Sequence, residues 1–559
     1  MRDRLRQVSL FSNLSDAELD DIASRAHTKH VHKGASVFLA GEPGDCMYVI
    51  LSGLVKIISE QKDSDRFILY LGPGNFFGEG AALFGGNHSA SVYVVIDADL
   101  LVLTSQDIHP LMQRHPQMSL MIIRELHARL RISLRSPIQT KELTLITVVG
   151  DAAPTLAEHL AQISGEDVLL FDLGGMSGHP VNPAVLAQDH VYLTYANNDL
   201  TAETLPERLS QLIKQYYWAL LWVSPDETPL TLKALDQADL RVVLGPVYAR
   251  RGEQLAPRHR LHADDSIAAI HQLARQLARR QVGLALSSGN ARGMAHIGVL
   301  KALTEENIPI DMIAGTSAGA LFGAMFAAGR SVDELMEFAA TVPREMNFRT
   351  GFSNWDMRAP FPYSGLIKGD MLLRHLRRLV FDKSFESLKI PLAVVTADLI
   401  TGEEIVFDHG SVADAVRASM SMGGLIEPAR TDGRFLIDGG AINPVPTQSL
   451  ADHGMNVIIA VSVIPTLEDQ IRRRKMKREQ RAPSMIDILL GEREIMEREI
   501  IRSRINPVDV VIQPDVARYS VREYDKVQEI IRSGEDAARL QIPYIRKLLA
   551  PRPRKLPQG

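Results

Sequence analysis

Short apolar runs alternate with helical segments from residue 281 to the end of the chain, and this alternation limits the fold more than any other feature does. The runs have the length and residue types of buried strands, as in "VGLALSSGN", "IDMIAGTS", "PLAVVTADL" and "MNVIIAVSV". Apolar strands separated by helices are typical of a parallel sheet with helices on both faces. The pattern therefore predicts an α/β domain whose chemistry gathers at the carboxyl ends of its strands.

One strand-to-helix junction in this region has the composition of a nucleophile turn. "DMIAGTSAGALFGAMFAAG" reads as the end of a strand, a turn around Ser317 and an Ala-rich helix. Gly315 and Gly319 permit a strained backbone and close packing of the helix on the strand, which would push the serine hydroxyl outward. Alone, the G-x-S-x-G pattern is weak, because about 0.2 matches are expected by chance in such a chain. A Gly-rich turn with an exposed hydroxyl is the alternative.

A nucleophilic serine requires a base. Asp438 ends the strand candidate in "GRFLIDGGAINPVP", and Asp398 ends another in "LAVVTADLITG". A Ser–Asp–His order would need a histidine after Asp438, and only His453 follows. His453 precedes a strand, so we expect it at the opposite edge of the sheet. The sequence thus predicts a dyad in which Asp438 takes the proton of Ser317 directly.

The segment "VGLALSSGNARGMAHIGVL" combines a strand, a Gly-containing loop and a helix. Successive loop N–H groups at the start of a helix form a cradle for an anion, as an oxyanion hole requires. The candidate donors are Gly289, Asn290, Ala291, Arg292 and Gly293, and we expect Arg292 to orient the loop through backbone carbonyls. A phosphate-binding turn of the dinucleotide type is the alternative, but its G-x-G-x-x-G pattern is incomplete here.

The motifs "SGNARGMAHIGVL", "GTSAG" and "DGG" in this order resemble a patatin-like phospholipase domain over residues 281–460. That family has a Gly-rich oxyanion loop, a G-x-S-x-G nucleophile and a D-G-[AG] acid. The resemblance implies a catalytic Ser317–Asp438 dyad, with Gly439 and Gly440 completing the acid motif. The family's loop usually has three glycines before x-R-G, whereas this chain has "SGNARG". Because the donors are backbone N–H groups and Asn tolerates positive φ, altered activity is implied rather than its loss.

Residues 1–135 read as a small β-barrel flanked by helices, because short β-rich runs are separated by glycine turns. "GNFFGEGAALFGGNHSASVYV" resembles the phosphate-binding cassette of cyclic nucleotide-binding domains. In that family a glycine and a glutamate hold the ribose, and an arginine holds the cyclic phosphate. Gly78 and Glu79 match the first pair, but His88, followed by Ser89, stands at the arginine position. A neutral histidine pairs with phosphate less well than a guanidinium does. The matches at Gly78 and Glu79 make a cyclic nucleotide a candidate ligand. The histidine supports the alternative, a barrel that only packs on the rest of the protein or binds a partner.

Residues 140–278 again alternate strands with helices and predict a small parallel-sheet region, without a GxxxxGK[ST] phosphate loop. The phrase "LKALDQADLRVVLG" within it is similar to the linking region of the neuropathy target esterase family. The ordered set of barrel, α/β region and patatin-like domain resembles that family and implies hydrolysis of fatty acyl esters of lysophospholipids or phospholipids. The extension 461–559 contains "IRRRKMKREQR", which is either a solvated segment or a contact with an anionic membrane surface.

Composition and charge exclude several classes of function. The net charge of -5 gives no reason to expect a nucleic acid partner. A single cysteine, Cys46, excludes an intrachain disulfide and a multi-cysteine metal site. The N-terminus lacks the apolar core of a signal peptide. We expect a cytoplasmic enzyme, peripheral on the inner membrane face if the basic segment binds lipid, that needs no metal or organic cofactor. The alternative is a catalytically degenerate sensor or scaffold that binds a nucleotide or protein through the barrel.

Overall fold

The computed structural model describes residues 2–6, 8–11, 14–60, 66–135, 143–174, 190–196, 199–213, 216–245, 260–345, 365–476 and 485–551. The chain divides into two compact units, residues 1–274 and 275–550. The first holds the predicted barrel and the first α/β region, and the second holds the second α/β region and most of the extension. The multidomain fold class is confirmed, and the finer boundaries at 135, 140, 278, 281 and 460 stay predictions.

The predicted barrel region is an antiparallel sheet, in which the described residues provide six strands. The two longest strands pair with each other along most of their length, and the register shifts near Ser52 and Leu54. The strands are His27–Val31, Ser36–Phe38, Cys46–Glu60, Arg66–Leu71, Phe76–Phe77 and Ser91–Thr104. The helices are Arg2–Arg6, Asp16–Arg25, Glu79–Phe84, Ser105–Arg114 and Pro116–Arg135.

The first α/β region is a parallel sheet, as its apolar runs predict. In spatial order its described strands are Arg260–Ala263, Leu240–Leu244, Thr144–Val149, Trp218–Val223, Val168–Asp172 and Val191–Tyr195. The helices are Ala153–Ser164, Leu205–Leu212, Pro229–Gln237 and Ile267–Leu277. The first of these helices is capped by Gly165, whose φ of 70° is the left-handed conformation that glycine adopts most readily.

The barrel region and the first α/β region pack together within the first unit. Leu54 of the barrel and Leu145 of the parallel sheet belong to one buried apolar cluster. The carboxylate of Asp97 lies 2.5 Å from Lys233 Nζ, and the Asp97 N–H donates to Gln237 Oε1 at 2.9 Å. A shared core with buried polar contacts explains why these two regions form one unit rather than two.

The second unit contains a sheet for which the described residues provide eight strands. In spatial order they are Ala429–Thr431, Arg434–Asp438, Leu392–Asp398, Met312–Thr316, Val282–Leu286, Val457–Val461 and Val510–Ile512, with Glu404–Phe407 also paired to Leu392–Asp398. The last five strands in this order are parallel. Both Arg434–Asp438 and Glu404–Phe407 run antiparallel to Leu392–Asp398, so the expectation of a parallel sheet is wrong at this edge.

Short connections explain two of the antiparallel strand pairs at this edge. Only residues 399–403 separate Leu392–Asp398 from Glu404–Phe407, and a parallel crossover needs a dozen or more. Ala429–Thr431 and Arg434–Asp438 are joined by Asp432 and Gly433, with φ of 50° and 78°. An Asp-Gly pair with positive φ at both positions is a preferred turn of a two-residue hairpin.

Helices cover this sheet, and the extension contributes to its core. They are Ala295–Glu305, Ala318–Ala327, Val332–Glu345, Asp370–Leu379, Val412–Ser419, Thr447–Asp452, Leu467–Met476, Met485–Arg504 and Val527–Leu549. A Cβ on Gly298 would lie 1.9 Å from the Ile531 carbonyl oxygen, so the C-terminal helix approaches Ala295–Glu305 backbone to backbone. No helix in the described ranges is long and apolar enough to cross a bilayer.

Candidate active site

Ser317 lies at a sharp turn between strand Met312–Thr316 and helix Ala318–Ala327. Its φ of 54° and ψ of -114° are rare for a residue with a side chain, and such strain clusters at functional sites. The two flanking positions have no room for a side chain, so only glycine fits there. A Cβ on Gly319 would lie 2.1 Å from the Leu286 carbonyl oxygen, and one on Gly315 would lie 2.7 Å from Ala320 N.

The structure brings Ser317 and Asp438 into direct contact. Ser317 Oγ donates a hydrogen bond of 2.6 Å to Asp438 Oδ2. Both residues are buried, with exposed fractions of 7% and 2%. Strand register explains the contact. Thr316 pairs with Val395 and Asp438 pairs with Thr396, so both catalytic candidates end their strands at the same level of the sheet. The strand of Asp438 reaches that level from the opposite direction.

The second oxygen of Asp438 has two donors. Oδ1 accepts the Gly440 N–H at 2.8 Å and lies 2.7 Å from Nη2 of Arg493, which helix Met485–Arg504 supplies. Glu497, one turn further along that helix, accepts from Arg493 Nε at 2.8 Å. Burial alone would lower the pKa of Arg493, but the Asp438 and Glu497 carboxylates outweigh it and raise that pKa. Burial raises the pKa of Glu497, against the opposing effect of Arg493.

The acid motif uses both of its glycines. A Cβ on Gly439 would lie 2.4 Å from the Val395 carbonyl oxygen, so the chain after Asp438 can pass close to the neighbouring strand only as glycine. A Cβ on Gly440 would lie 2.4 Å from Glu497 Oε1 and 2.6 Å from Arg493 Nη2. The second glycine therefore leaves room for the guanidinium that contacts the acid.

The loop 289–293 follows strand Val282–Leu286 and forms a 3-10 turn, Asn290–Met294, that leads into helix Ala295–Glu305. Asn290 has a φ of 51°, the positive value that its residue type is expected to tolerate. A Cβ on Gly293 would lie 2.4 Å from Ala318 Cβ, which places this part of the loop against the start of the Ser317 helix. A Cβ on Gly289 would lie 2.2 Å from Val463 Cγ2.

At least two of the five candidate donors in the loop already have acceptors. The Ala291 N–H donates to the Val521 carbonyl at 3.2 Å, and the Arg292 N–H donates to the Gly289 carbonyl at 3.1 Å. The Arg292 side chain is 2% exposed and donates from Nε to the Tyr519 carbonyl at 2.9 Å. This is the kind of contact expected of it, although the carbonyl belongs to a distant segment and not to the loop.

Asp398 and His453, the other acid and histidine considered from the sequence, lie in separate contacts. Asp398 caps its own turn by accepting the Ile400 N–H at 2.9 Å. His453 lies 2.6 Å from the Ser449 carbonyl through Nδ1 and 3.2 Å from Asp408 through Nε2, so its ring is engaged away from the dyad.

His296, in the helix after the loop, is completely buried. Its Nε2 lies 2.9 Å from the Ser287 carbonyl, which requires the proton on that nitrogen. Burial lowers the pKa of His296 to about 4, so the ring is neutral at pH 7 and acts as a packed hydrogen-bond donor.

Sequence reasoning missed three residues that support the dyad. Ser419 Oγ accepts the Ser317 N–H at 2.8 Å and donates to the Val395 carbonyl at 2.7 Å. Arg493 and Glu497 have the i, i+4 spacing of an ordinary solvated helix pair. No local signal distinguishes them from such a pair, because their burial depends on where the helix docks.

The residues of the candidate nucleotide site lie at the start of a helix and in a buried aromatic stack. Gly78 has a φ of 78° and precedes helix Glu79–Phe84, which begins with Glu79. His88 is 8% exposed, its ring stacks on Phe38 with centroids 3.5 Å apart, and burial lowers its pKa. Ser89 is exposed. The imidazole is thus neutral at pH 7 and packs against the Phe38 ring, unlike the charged guanidinium that the cyclic nucleotide-binding family has at this position.

One group of metal-ligand side chains occurs in the described ranges. His30, His32 and Asp97 bring ligand-type atoms within 4.8 Å of one another. Asp97 is already paired with Lys233 at 2.5 Å, and a neighbouring ammonium opposes a bound cation. The group is therefore a poor fit to a metal site.

Comparisons with known proteins agree with this architecture. Residues 284–451 match the patatin-like phospholipase family, and residues 28–115 match the cyclic nucleotide-binding domain family. An uncharacterized NTE family protein of Mycobacterium tuberculosis is 25% identical over 96% of this chain and 96% of its own length. Patatin-like phospholipase domain-containing protein 6 of Mus musculus is 26% identical over 78% of this chain and 38% of its own length.

A second NTE family protein, from Mycobacterium bovis, is 37% identical over 33% of this chain and 49% of its own length. These relatives support a lipid hydrolase. The chain carries a cyclic nucleotide-binding domain followed by a patatin-like phospholipase domain, and its homologues are NTE family proteins.

Proposed function

We propose that this protein is a serine esterase of the lysophospholipase type that hydrolyses fatty acyl esters of lysophospholipids or phospholipids. The observation that carries the proposal is the 2.6 Å hydrogen bond from Ser317 Oγ to Asp438 Oδ2 at a strained strand-to-helix turn. A hydroxyl becomes a useful nucleophile when an adjacent base accepts its proton. The start of helix Ala318–Ala327 adds a positive dipole end beside the reacting oxygen.

The reaction would proceed through an acyl-enzyme. Ser317 Oγ attacks the acyl carbonyl while its proton passes to Asp438 Oδ2. The tetrahedral oxyanion collapses, the ester C–O bond breaks and the leaving alcohol takes the proton from Asp438. Water then attacks the acyl-serine ester, Asp438 again accepts the proton, and the fatty acid leaves as the Ser317 hydroxyl is restored. Each step balances without a metal or an organic cofactor.

The oxyanion would be held by backbone N–H groups of the loop 289–293. Ala291 and Arg292 are the weaker candidates, since both N–H groups already have acceptors. Gly293 is the strongest, because its backbone lies against the start of the helix that Ser317 precedes. One such donor is typically worth about 2.7–4 kcal/mol of transition-state stabilisation.

The test is ester hydrolysis by paired serine variants. Ser317→Ala removes the nucleophile without adding volume and should abolish hydrolysis of p-nitrophenyl butyrate and of lysophosphatidylcholine. Ser387→Ala removes an exposed hydroxyl whose only described role is a bond to the Ser384 carbonyl, and should leave activity unchanged. Undiminished turnover by Ser317→Ala would refute the assignment.

The alternative, a degenerate sensor or scaffold, makes a different prediction for the same serine. A fluorophosphonate probe should label Ser317 in the proposed enzyme, and the label should be found by mass spectrometry on the peptide containing "GTSAG". A scaffold would stay unlabelled at every pH between 6 and 9. Incubation with mixed phospholipids, followed by lipid mass spectrometry, would identify the head group and chain length that are preferred.

We further propose peripheral contact with an anionic membrane. The support is the basic run "IRRRKMKREQR", of which residues 477–481 lie outside the described residues, and the exposed apolar side chains of Ile488 and Leu489. Sedimentation with phosphatidylglycerol vesicles should pull down the protein at low salt. A variant with Arg472, Arg473 and Arg474 changed to Gln should bind less, and equal binding by both proteins would contradict the proposal.

A further inference from the structure

Helix Met485–Arg504 is oriented against the usual rule for a surface helix. Ile488, Leu489, Ile495 and Met496 are about half exposed or more, while the Arg493 and Glu497 side chains are 17% and 8% exposed. Burying an ion pair costs desolvation free energy, which only well-placed partners offset. The helix also lies beyond residues 284–451, where the family match ends. The cost of burying these two charged side chains must therefore be offset by contacts that the helix makes with the rest of this chain.

The partner that offsets this cost is the acid of the dyad. Arg493 Nη2 lies 2.7 Å from Asp438 Oδ1, and the Gly440 N–H donates to the same oxygen at 2.8 Å. Asp438 Oδ2 is then the oxygen that faces Ser317 Oγ. A carboxylate fixed at one oxygen by two donors cannot rotate freely, so the other oxygen stays aimed at the nucleophile.

Glu497 holds the guanidinium in turn. Its Oε1 accepts from Arg493 Nε at 2.8 Å, which orients the planar fork so that Nη2 points at Asp438. Gly440 leaves the space for both side chains, since a Cβ there would collide with Glu497 Oε1 and Arg493 Nη2. Within the described part of the chain, Asp438 is therefore in contact with the Arg493 guanidinium and the Ser317 hydroxyl, and the Glu497 carboxylate is close enough to interact with it electrostatically.

We propose that Arg493 is a positioning residue for catalysis, which holds Asp438 by one oxygen and keeps the other oxygen aimed at Ser317, and that Glu497 fixes Arg493 in that role. The inference rests on the proposed esterase function and goes beyond it, because it assigns part of the machinery to a helix outside the matched domain. The guanidinium fixes the orientation of the carboxylate oxygen that takes the serine proton, and this orientation is a requirement of the chemical step. Removing it should therefore affect the chemical step more than substrate binding.

The experiment compares Arg493→Gln and Arg493→Lys with Arg502→Gln. Arg502 is on the same helix, its side chain is 82% exposed, and its Glu499 contact is 4.0 Å long, so its substitution should leave the kinetics unchanged. With p-nitrophenyl butyrate we expect Arg493→Gln to lower kcat about 10- to 100-fold while KM stays within twofold. Arg493→Lys, which keeps a charged donor at this position, should recover part of kcat.

A second variant covers the case in which Arg493→Gln unfolds. Gly440→Ala keeps the arginine in the chain but displaces its guanidinium, and should give the same loss of kcat. Folding of each variant is checked by its melting temperature. Wild-type kcat in Arg493→Gln, or a kcat loss that Arg493→Lys does not rescue, would overturn the inference. If the wild-type protein itself shows no hydrolysis and no labelling of Ser317, the proposed function fails instead and the inference falls with it.

Discussion

Gly293 is where the candidate oxyanion loop touches the helix that begins after Ser317, so a single methyl group there tests the geometry of the whole site. A Cβ at position 293 would lie 2.4 Å from Ala318 Cβ, whereas ordinary contact between such carbons begins at 3.4 Å. The loop and the helix must therefore separate by about 1 Å in Gly293→Ala. Gly293 does not have a positive φ, so the substitution adds volume without backbone strain.

The expected magnitudes follow from that displacement. Overpacking of this kind costs about 1–3 kcal/mol of folding free energy. A shift of about 1 Å between the oxyanion donors and the nucleophile can cost on the order of 100-fold in rate. We therefore expect Gly293→Ala to lower kcat/KM for p-nitrophenyl butyrate about 100-fold and to slow fluorophosphonate labelling of Ser317, with a modest fall in melting temperature.

The matched control is Gly423→Ala, since position 423 has open space around its Cβ and no positive φ. Its kcat/KM should stay within twofold of the wild-type value. The melting temperature separates loss of fold from loss of geometry in both variants. A Gly293→Ala protein with wild-type kcat/KM and labelling rate would refute the reasoning, because it would mean that the loop does not need its close approach to the helix.

Three further outcomes are expected. Ser419→Ala should lower both the melting temperature and the labelling rate of Ser317, because it removes the hydroxyl that accepts the buried Ser317 N–H, at about 1–3 kcal/mol. Unchanged values would contradict the support role. Burial lowers the pKa of His296 to about 4, so below pH 6.5 the unfolded chain binds a proton that the folded chain does not, and the free energy of unfolding should fall by about 2 kcal/mol between pH 7 and 5. His296→Gln should weaken this pH dependence of the melting temperature. An equal slope in both proteins would count against the prediction. Calorimetry with cyclic AMP and cyclic GMP should give no saturable heat at millimolar ligand, because His88 is buried, neutral and stacked on Phe38; a micromolar Kd would overturn this prediction.

Much of the candidate active site was predictable because its motifs are local. A strand, two glycines around Ser317 and an Ala-rich helix specify a turn within a few residues, and the structure has that turn with its positive φ. Asn290 likewise adopts the positive φ that its residue type tolerates. The barrel strands were predictable from period and glycine turns, although strand His27–Val31, mostly exposed and polar, carries too weak an apolar signal to be found.

The direction of the strand that ends at Asp438 could not be read from its apolar residues. Periodicity indicates a strand but not its direction, and the alternation of strands and helices predicted a parallel sheet here. The Asp432-Gly433 turn was the local signal for an antiparallel hairpin. Asp438 meets Ser317 because its strand begins beyond the edge of the parallel strands and runs back to the level of Thr396.

The sequence by itself therefore determined the parts of the site: a serine at a bent junction, an acid before two glycines, and a loop rich in backbone donors. The tertiary structure alone decided how they meet, since the Ser317–Asp438 bond joins residues 121 positions apart and the support from Arg493 comes from a helix that resembles any solvated helix in sequence. The physical reason is that propensity and turn chemistry act over a few residues, whereas burial of a charge depends on what the rest of the chain packs against it.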